Sequence, residues 1–203
     1  MPYLHHGTQP RTRPQLWDDL NAHSVGFGGG MLDTTELPSI NGMFSYYGVV
    51  AYALILKGCP IYLDADNKAH VVKSALVIDG GTTTVPRVSK DHLYKVGDCV
   101  YCSGAAVSVS SIDNSNANYD VITLSGACEG AISGQILEQA IGTGANPVKK
   151  YNPNVLLGND YKLIAGETLN LVFRIDEWIQ KGRFVYPMSV STINSLSPNI
   201  IIK

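Results

Sequence analysis

Apolar and polar positions along this chain alternate with a period of two in short runs, and no helical period is sustained over about fifteen residues. The cleanest run is Thr168–Ile175. Leu169, Leu171, Phe173 and Ile175 point one way, and Thr168, Asn170 and Arg174 point the other. Phe184, Tyr186, Met188 and Val190 alternate again, with Pro187 marking an edge or bulge. Ile61 and Leu63 flank Tyr62, the polar turn DADNK follows, and Val72, Leu76 and Ile78 share a face of the return strand, which predicts a β-hairpin. Asp79-Gly80-Gly81 ends it. Met43–Leu56 reads as one or two buried strands, with a helix as the alternative.

The stretch Lys95–Ser125 reads as three short strands joined by two turns. Val107 and Val109 share parity and Ile112 does not, so a bulge near Ser110 or Ser111 is needed to return Ile112 to their face. Asp113–Asn118 is a polar loop whose side chains can bond local backbone. Tyr119–Leu124 carries bulky groups on both faces, which places it centrally in a sheet. Ser133–Ile141 offers a short helix, and Asp176–Lys181 one helical turn stopped by Gly182.

These elements predict a mainly β chain: an antiparallel sandwich or barrel body with extended N- and C-terminal arms and a few short helices. Residues 1–41 read as the N-terminal arm. Thr12 with Gln15 has capping-box spacing ahead of Leu16, Trp17 and Leu20. Gly26, Gly28, Gly29 and Gly30 form a hinge. Residues 42–190 form the body, as one unit or as two sub-domains split near 80–95 or 142–153. Residues 191–203 are a C-terminal extension whose Ile200, Ile201 and Ile202 call for a sheet edge, in this subunit or another.

Composition sharpens this picture. Only 16% of the 203 residues are charged, against 45% hydrophobic, so much of the surface must be neutral or covered by neighbours. A net charge of −2 gives no basic face for nucleic acid. The longest charge-free apolar run, Met43–Leu56, is too short to span a bilayer. Residues 1–20 lack the apolar core of a secretory signal. Four cysteines do not make a disulfide framework, and a reducing compartment is the simpler assumption.

Each candidate for chemistry meets a physical objection. Cys99-Val100-Tyr101-Cys102 has zinc or redox spacing, but residues three apart on a strand face opposite ways, and Cys59 and Cys128 stand alone. Asp64, Asp66 and Asn67 resemble a calcium loop, yet Lys68 and Ala69 replace its oxygen ligand and its glycine. The Asp113–Asp120 oxygens serve a solvated turn better than a cation. The histidines at 5, 6, 23, 70 and 92 are scattered, and no serine stands in a nucleophile elbow. Tyr46, Tyr47, Tyr52 and Tyr62 could stack on sugars, but in apolar strands they suit a core. Trp17 and Trp178 are anchors, for a core or for an interface. No catalytic, cofactor or metal residue is therefore nominated, and no enzyme is expected.

Two stretches carry a family resemblance. KGCPIYLDADNKAHVVKSA at Lys57–Ala75 resembles a K-G-T-P-V-Y-L-D…A-H-V-V-K-T-A segment of phage head-fibre and capsid-decoration proteins. KVGD, SIDNSNANYDVITLS and GQILEQA, followed by KYNPNVLLG at Lys150–Gly158, resemble later parts of head-fibre proteins of Bacteroidales-type phages. Cys59 stands where that pattern has threonine. The resemblance implies a virion protein made in the bacterial cytoplasm and carried on the capsid surface. It also implies contact with the major capsid protein and with copies of itself, a trimer being favoured, and no nucleic-acid or membrane partner. A tail or baseplate adaptor and a carbohydrate-binding β-module are the alternatives. Interface contacts are then expected in the arms, at Arg11, Arg13, Leu16, Trp17, Leu20, Ile200, Ile201 and Ile202.

Overall fold

The computed structural model describes residues 30–38, 53–90, 92–101, 103–163, 170–171, 173–174, 177–179, 184, 186–196, 198 and 200–202. It is mainly β, and its strands form two principal units. The first is a six-stranded sheet of β1 (Gly30–Leu32), β3 (Pro60–Leu63), β4 (Lys68–Val71), β11 (Val155–Leu157), β13 (Asn170–Leu171) and β14 (Phe173–Arg174). Its spatial order is β13-β1-β4-β3-β11-β14. Only the β1–β4 pair is parallel. A two-stranded antiparallel ribbon, β2 (Ala53–Ile55) with β12 (Tyr161–Leu163), is separate from it.

The second unit is a closed barrel of β5 (Ser74–Ile78), β6 (Arg87–Val88), β7 (Cys99–Tyr101), β8 (Val107–Asp113), β9 (Asp120–Leu124) and β10 (Ile136–Ala140). Every neighbouring pair in it is antiparallel. Closure leaves no unpaired edge within the ring. Inward side chains follow the two-residue period: Ala75 and Val77 from β5, Ile122 and Leu124 from β9, and Leu137 from β10 are all buried in one cluster. The register of β8 against β9 shifts between Val109 and Ser111. Val107, Val109 and Ile112 consequently all pack against the barrel core, as the parity argument requires.

The barrel is a contiguous insertion in the sheet unit. The chain leaves β4 at Val71, crosses through Val72 and Lys73, builds the whole ring, and returns to the sheet at β11. Its incoming strand β5 and outgoing strand β10 are neighbours, with Leu76 opposite Ile136 and Ser74 opposite Glu138. Of the two division points read from the sequence, residues 80–95 fall inside the ring and 142–153 fall on the return link.

Several local expectations change. The return strand of the DADNK hairpin is two strands in two units, because pairing with β3 stops at Val71 and pairing with β10 starts at Ser74. Ala75 and Val77, not Leu76 and Ile78, face the barrel core. Ser133–Ile141, expected as a helix, contains strand β10. Its helix-forming residues are overruled by the backbone bonds that close the ring against both β5 and β7. Asp176–Lys181, expected as a helical turn, contains β15 (Glu177–Ile179) instead. The alternating run Phe184–Val190 forms no strand among the described residues, although Tyr186 and Met188 are buried. Ser189 caps helix α1 (Val190–Ser195) by accepting from the Thr192 amide, and Val190 is 74% exposed.

Residues 30–37, read as the end of an arm, lie within the body. Gly30 and Met31 pair with β13, Leu32 pairs with Ala69 of β4, and Leu32 and Leu37 are buried in the sheet core. The isoleucine-rich end meets a sheet edge within this subunit: β16 (Ile200–Ile202) runs parallel to β15. Ile200 packs with Leu156, Met188 and Leu196.

Candidate functional site

The polar side chains with buried, multiple contacts gather where the sheet, the barrel and the segment 33–37 meet. Asp33 caps a 3-10 turn at Thr34–Glu36, accepting from the Thr35 amide at 3.0 Å. That turn fixes Glu36 against β4 and the return link. Glu36 Oε1 accepts from Tyr151 Oη at 2.6 Å and meets Lys150 Nζ at 2.9 Å. Its Oε2 lies 3.3 Å from His70 Nδ1. His70 Nε2 faces Asp64 Oδ2 at 3.3 Å, and Asp33 Oδ2 pairs with Lys68 Nζ at 2.7 Å. The rings of Tyr62, Tyr151 and His70 are stacked, at 5.4 Å and 4.6 Å between successive centroids.

The backbone of the same turn continues the network. Lys73 donates to the Glu36 carbonyl and pairs with Asp98 Oδ2 at 2.7 Å, and its side chain is fully buried. Asp98 Oδ1 accepts from Gln139 Nε2 at 3.2 Å, and Oδ2 also takes the Lys95 amide at 2.9 Å. Tyr94 Oη donates to the Leu137 carbonyl at 3.0 Å, closing the same end of the barrel. Leu93, between two barrel-side residues, turns with φ 59 and buries its side chain in the sheet core. A second glutamate repeats the pattern of Glu36. Glu138 Oε1 gathers Lys149 Nζ, Ser189 Oγ and Thr192 Oγ1, each at 2.6 Å, and so ties α1 to β10.

Charge follows from these contacts. Burial raises the Asp33 carboxyl, but the Lys68 and Thr35 hydrogen bonds outweigh it and hold the pKa at about 2. Burial likewise opposes ionisation of Glu36, where Tyr151 and Lys150 prevail and lower it, and of Glu138, where Lys149 and Ser189 do. Lys73 is lowered, because desolvation exceeds the attraction of Asp98. Carboxylates held below their unfolded values contribute stability that is complete above about pH 4–5 and is lost as pH falls through the folded values. Urea midpoints should therefore drop steeply between about pH 4 and pH 2. In Asp33→Asn the lowest part of that drop should flatten, at a loss near neutral pH of about 1 kcal/mol, since Lys68 is half exposed.

Both ring nitrogens of His70 face carboxylates. His92 Nδ1 accepts from the Tyr94 amide at 3.0 Å, so its proton sits on Nε2, 3.3 Å from Asp120 Oδ2. Among the described residues, neither ring has a nitrogen bonded to a hydroxyl or thiol. Asp33, Glu36 and His70 offer ligand atoms within 4.8 Å of one another, but lysine ammonium groups already neutralise the two carboxylates. Cys59 and Cys128 are buried in different cores, and burial pushes the Cys59 thiol up. Cys99 is on β7, and Cys102 lies outside the described residues. In the DADNK turn, Asp64 Oδ1 accepts the amides of Asp66 and Lys68, which is turn chemistry. Asp113 and Asn116 likewise accept the amides of Ser115 and Asn118. A shallow cleft of about 240 Å³ between Val77–Thr83 and Ala131–Ser133 holds a single carboxylate, Asp79.

Of the residues expected at an interface, Arg11, Arg13, Leu16, Trp17 and Leu20 lie outside the described residues. Ile200 faces the protein's own core and Ile201 is partly exposed. Tyr62 turns its ring to Tyr151, while Tyr46, Tyr47 and Tyr52 lie outside the described residues. Sequence reasoning missed Glu36, Lys73, Asp98 and Glu138. Each is a charged residue with no spacing pattern that names its partner, and only the fold assigns that partner. Lys73 alone carried a usable signal, as a cation within the apolar run Ala69–Ile78. No helix among the described residues is long and apolar enough to cross a membrane. Comparison with family models, curated proteins and solved structures finds no match for the chain.

Proposed function

We propose that this chain is a structural virion protein, a head-fibre or capsid-decoration component that binds the phage head shell, and not an enzyme. The observation that carries this reading is the bracing of residues 33–37. Glu36 bonds the sheet through His70, the return link through Lys150 and Tyr151, and the barrel-side Lys73 through its carbonyl. The backbone that continues toward residue 1 is thus joined to both units at one rigid point, which suits a segment that transmits force to a shell. The head-fibre resemblance of Lys57–Ala75 and Lys150–Gly158 supports the same reading, and these two stretches contribute His70, Lys73, Lys150 and Tyr151 to the brace.

In this reading residues 1–29 contact the major capsid protein or sister subunits, the subunits assemble as a homotrimer, and avidity across a repeated lattice supplies the affinity. The test is removal of residues 1–29, which leaves β1 and the 3-10 turn in place. The shortened protein should keep its cooperative unfolding and lose at least about tenfold in binding to purified heads, a difference of about 1.4 kcal/mol. Unchanged binding overturns the assignment.

A further inference from the structure

We propose that Lys73 and Asp98 are joined by an intramolecular isopeptide bond, formed by the folded chain without any added reagent. The pair has what such a reaction requires. Lys73 Nζ is fully buried and 2.7 Å from Asp98 Oδ2, an oxygen of the carboxyl group it would attack. The position is over-determined. Lys73 is held by the Glu36 carbonyl, and Asp98 by the Lys95 amide and the Gln139 side chain, so the two groups are held in contact. The pair is shielded from water: Asp98 is 7% exposed, beside the fully buried Lys73. Gln139 Oε1 is buried without a hydrogen-bond partner, so the ion pair by itself leaves the site incompletely satisfied.

The step balances within the pair. In a buried setting the ammonium passes one proton along the short contact to Oδ2, giving a neutral amine and a neutral carboxyl group. The nitrogen lone pair attacks Cγ, and the carbonyl electrons move to Oδ1, where the Gln139 amide N–H at 3.2 Å supports the developing charge. A second nitrogen proton moves to Oδ2, the Cγ–Oδ2 bond breaks, and water leaves. One C–N bond replaces one C–O bond, and nothing is oxidised or reduced. The product is a staple across a separation of 25 positions, joining the link into the barrel to the turn that precedes β7.

Intact mass of the full chain, purified folded and then denatured, tests this. The expected value is lighter by one water than the mass summed from the sequence. Protease mapping should then give a branched peptide joining Lys73 to Asp98, with no tryptic cleavage after Lys73. Lys73→Arg and Asp98→Ala should restore the full mass, whereas Asp98→Asn should be lighter by one ammonia if it still cross-links. A folded wild-type chain at full mass overturns the proposal. So does loss of water without a branched peptide, which would indicate a cyclised aspartate.

Discussion

Asp98→Ala will lower the free energy of unfolding by about 3–5 kcal/mol, read from urea titration, because it removes one partner of a buried pair and leaves the other without compensation. Lys73 has no route to solvent from where it sits, and its Nζ would keep only the Glu36 carbonyl. Gln139 Nε2 and the Lys95 amide would lose their acceptor as well. The partner variant Lys73→Met should be milder, since Asp98 keeps those two donors and the methionine fills the space. A combined Lys73→Met, Asp98→Leu protein should recover only the part of the loss that comes from the uncompensated buried charge, because the cross-link proposed above is absent from it as well. If Asp98→Ala cost under about 1 kcal/mol, Lys73 would have to reach water by rearrangement, and the polar cluster would not close the barrel end.

Leu137→Ala should cost about 2–5 kcal/mol, whereas Ile141→Ala, four residues on, should stay within about 0.5 kcal/mol. Leu137 is fully buried opposite Ala75, in the strand that both closes the ring and leads back to the sheet. Ile141 is 68% exposed. A helix continued through Ile141 would put both positions on one face and give similar losses, and so would a strand continued that far. The contrast between the two variants, measured side by side, therefore reports that the buried strand ends at Ala140.

That segment also shows where sequence reading stops. Alternation was only partly reliable: Thr168–Ile175 contains two strands, β13 and β14, with different partners, and Phe184–Val190 contains no strand among the described residues. The Val109–Ile112 parity break foretold a bulge, and the isoleucines at the end foretold an edge. GQILEQA was misread because Leu, Glu, Gln and Ala are good helix formers, and what overrides them is backbone pairing with strands some forty and sixty residues earlier. Val71–Ser74 was read as one strand for a similar reason: a change of sheet leaves the hydrophobic pattern continuous. The brace was the least legible part. Glu36, Lys73 and Asp98 are separated by long stretches of chain, and ion pairs of this kind leave no spacing rule. Asp33 and the Thr34–Glu36 turn were locally readable as a cap, but lay in a stretch dominated by glycines and assigned to an arm.

The neighbouring placement of β5 and β10 has a consequence for how tension divides in the molecule. A pull applied through the chain ahead of Gly30 enters at a strand of the sheet and is resisted by its pairing with β4 and β13 and by the Glu36 contacts. The ring begins and ends at two strands zipped side by side, so it hangs off this load path as a closed side loop. The ring meets residues 33–37 through Lys73, Asp98 and Lys95, so sequence change elsewhere in it, in the Asp113–Asn118 loop above all, leaves those contacts in place. In the function proposed above, that loop can vary with whatever it meets outside while the contacts of residues 33–37 stay the same.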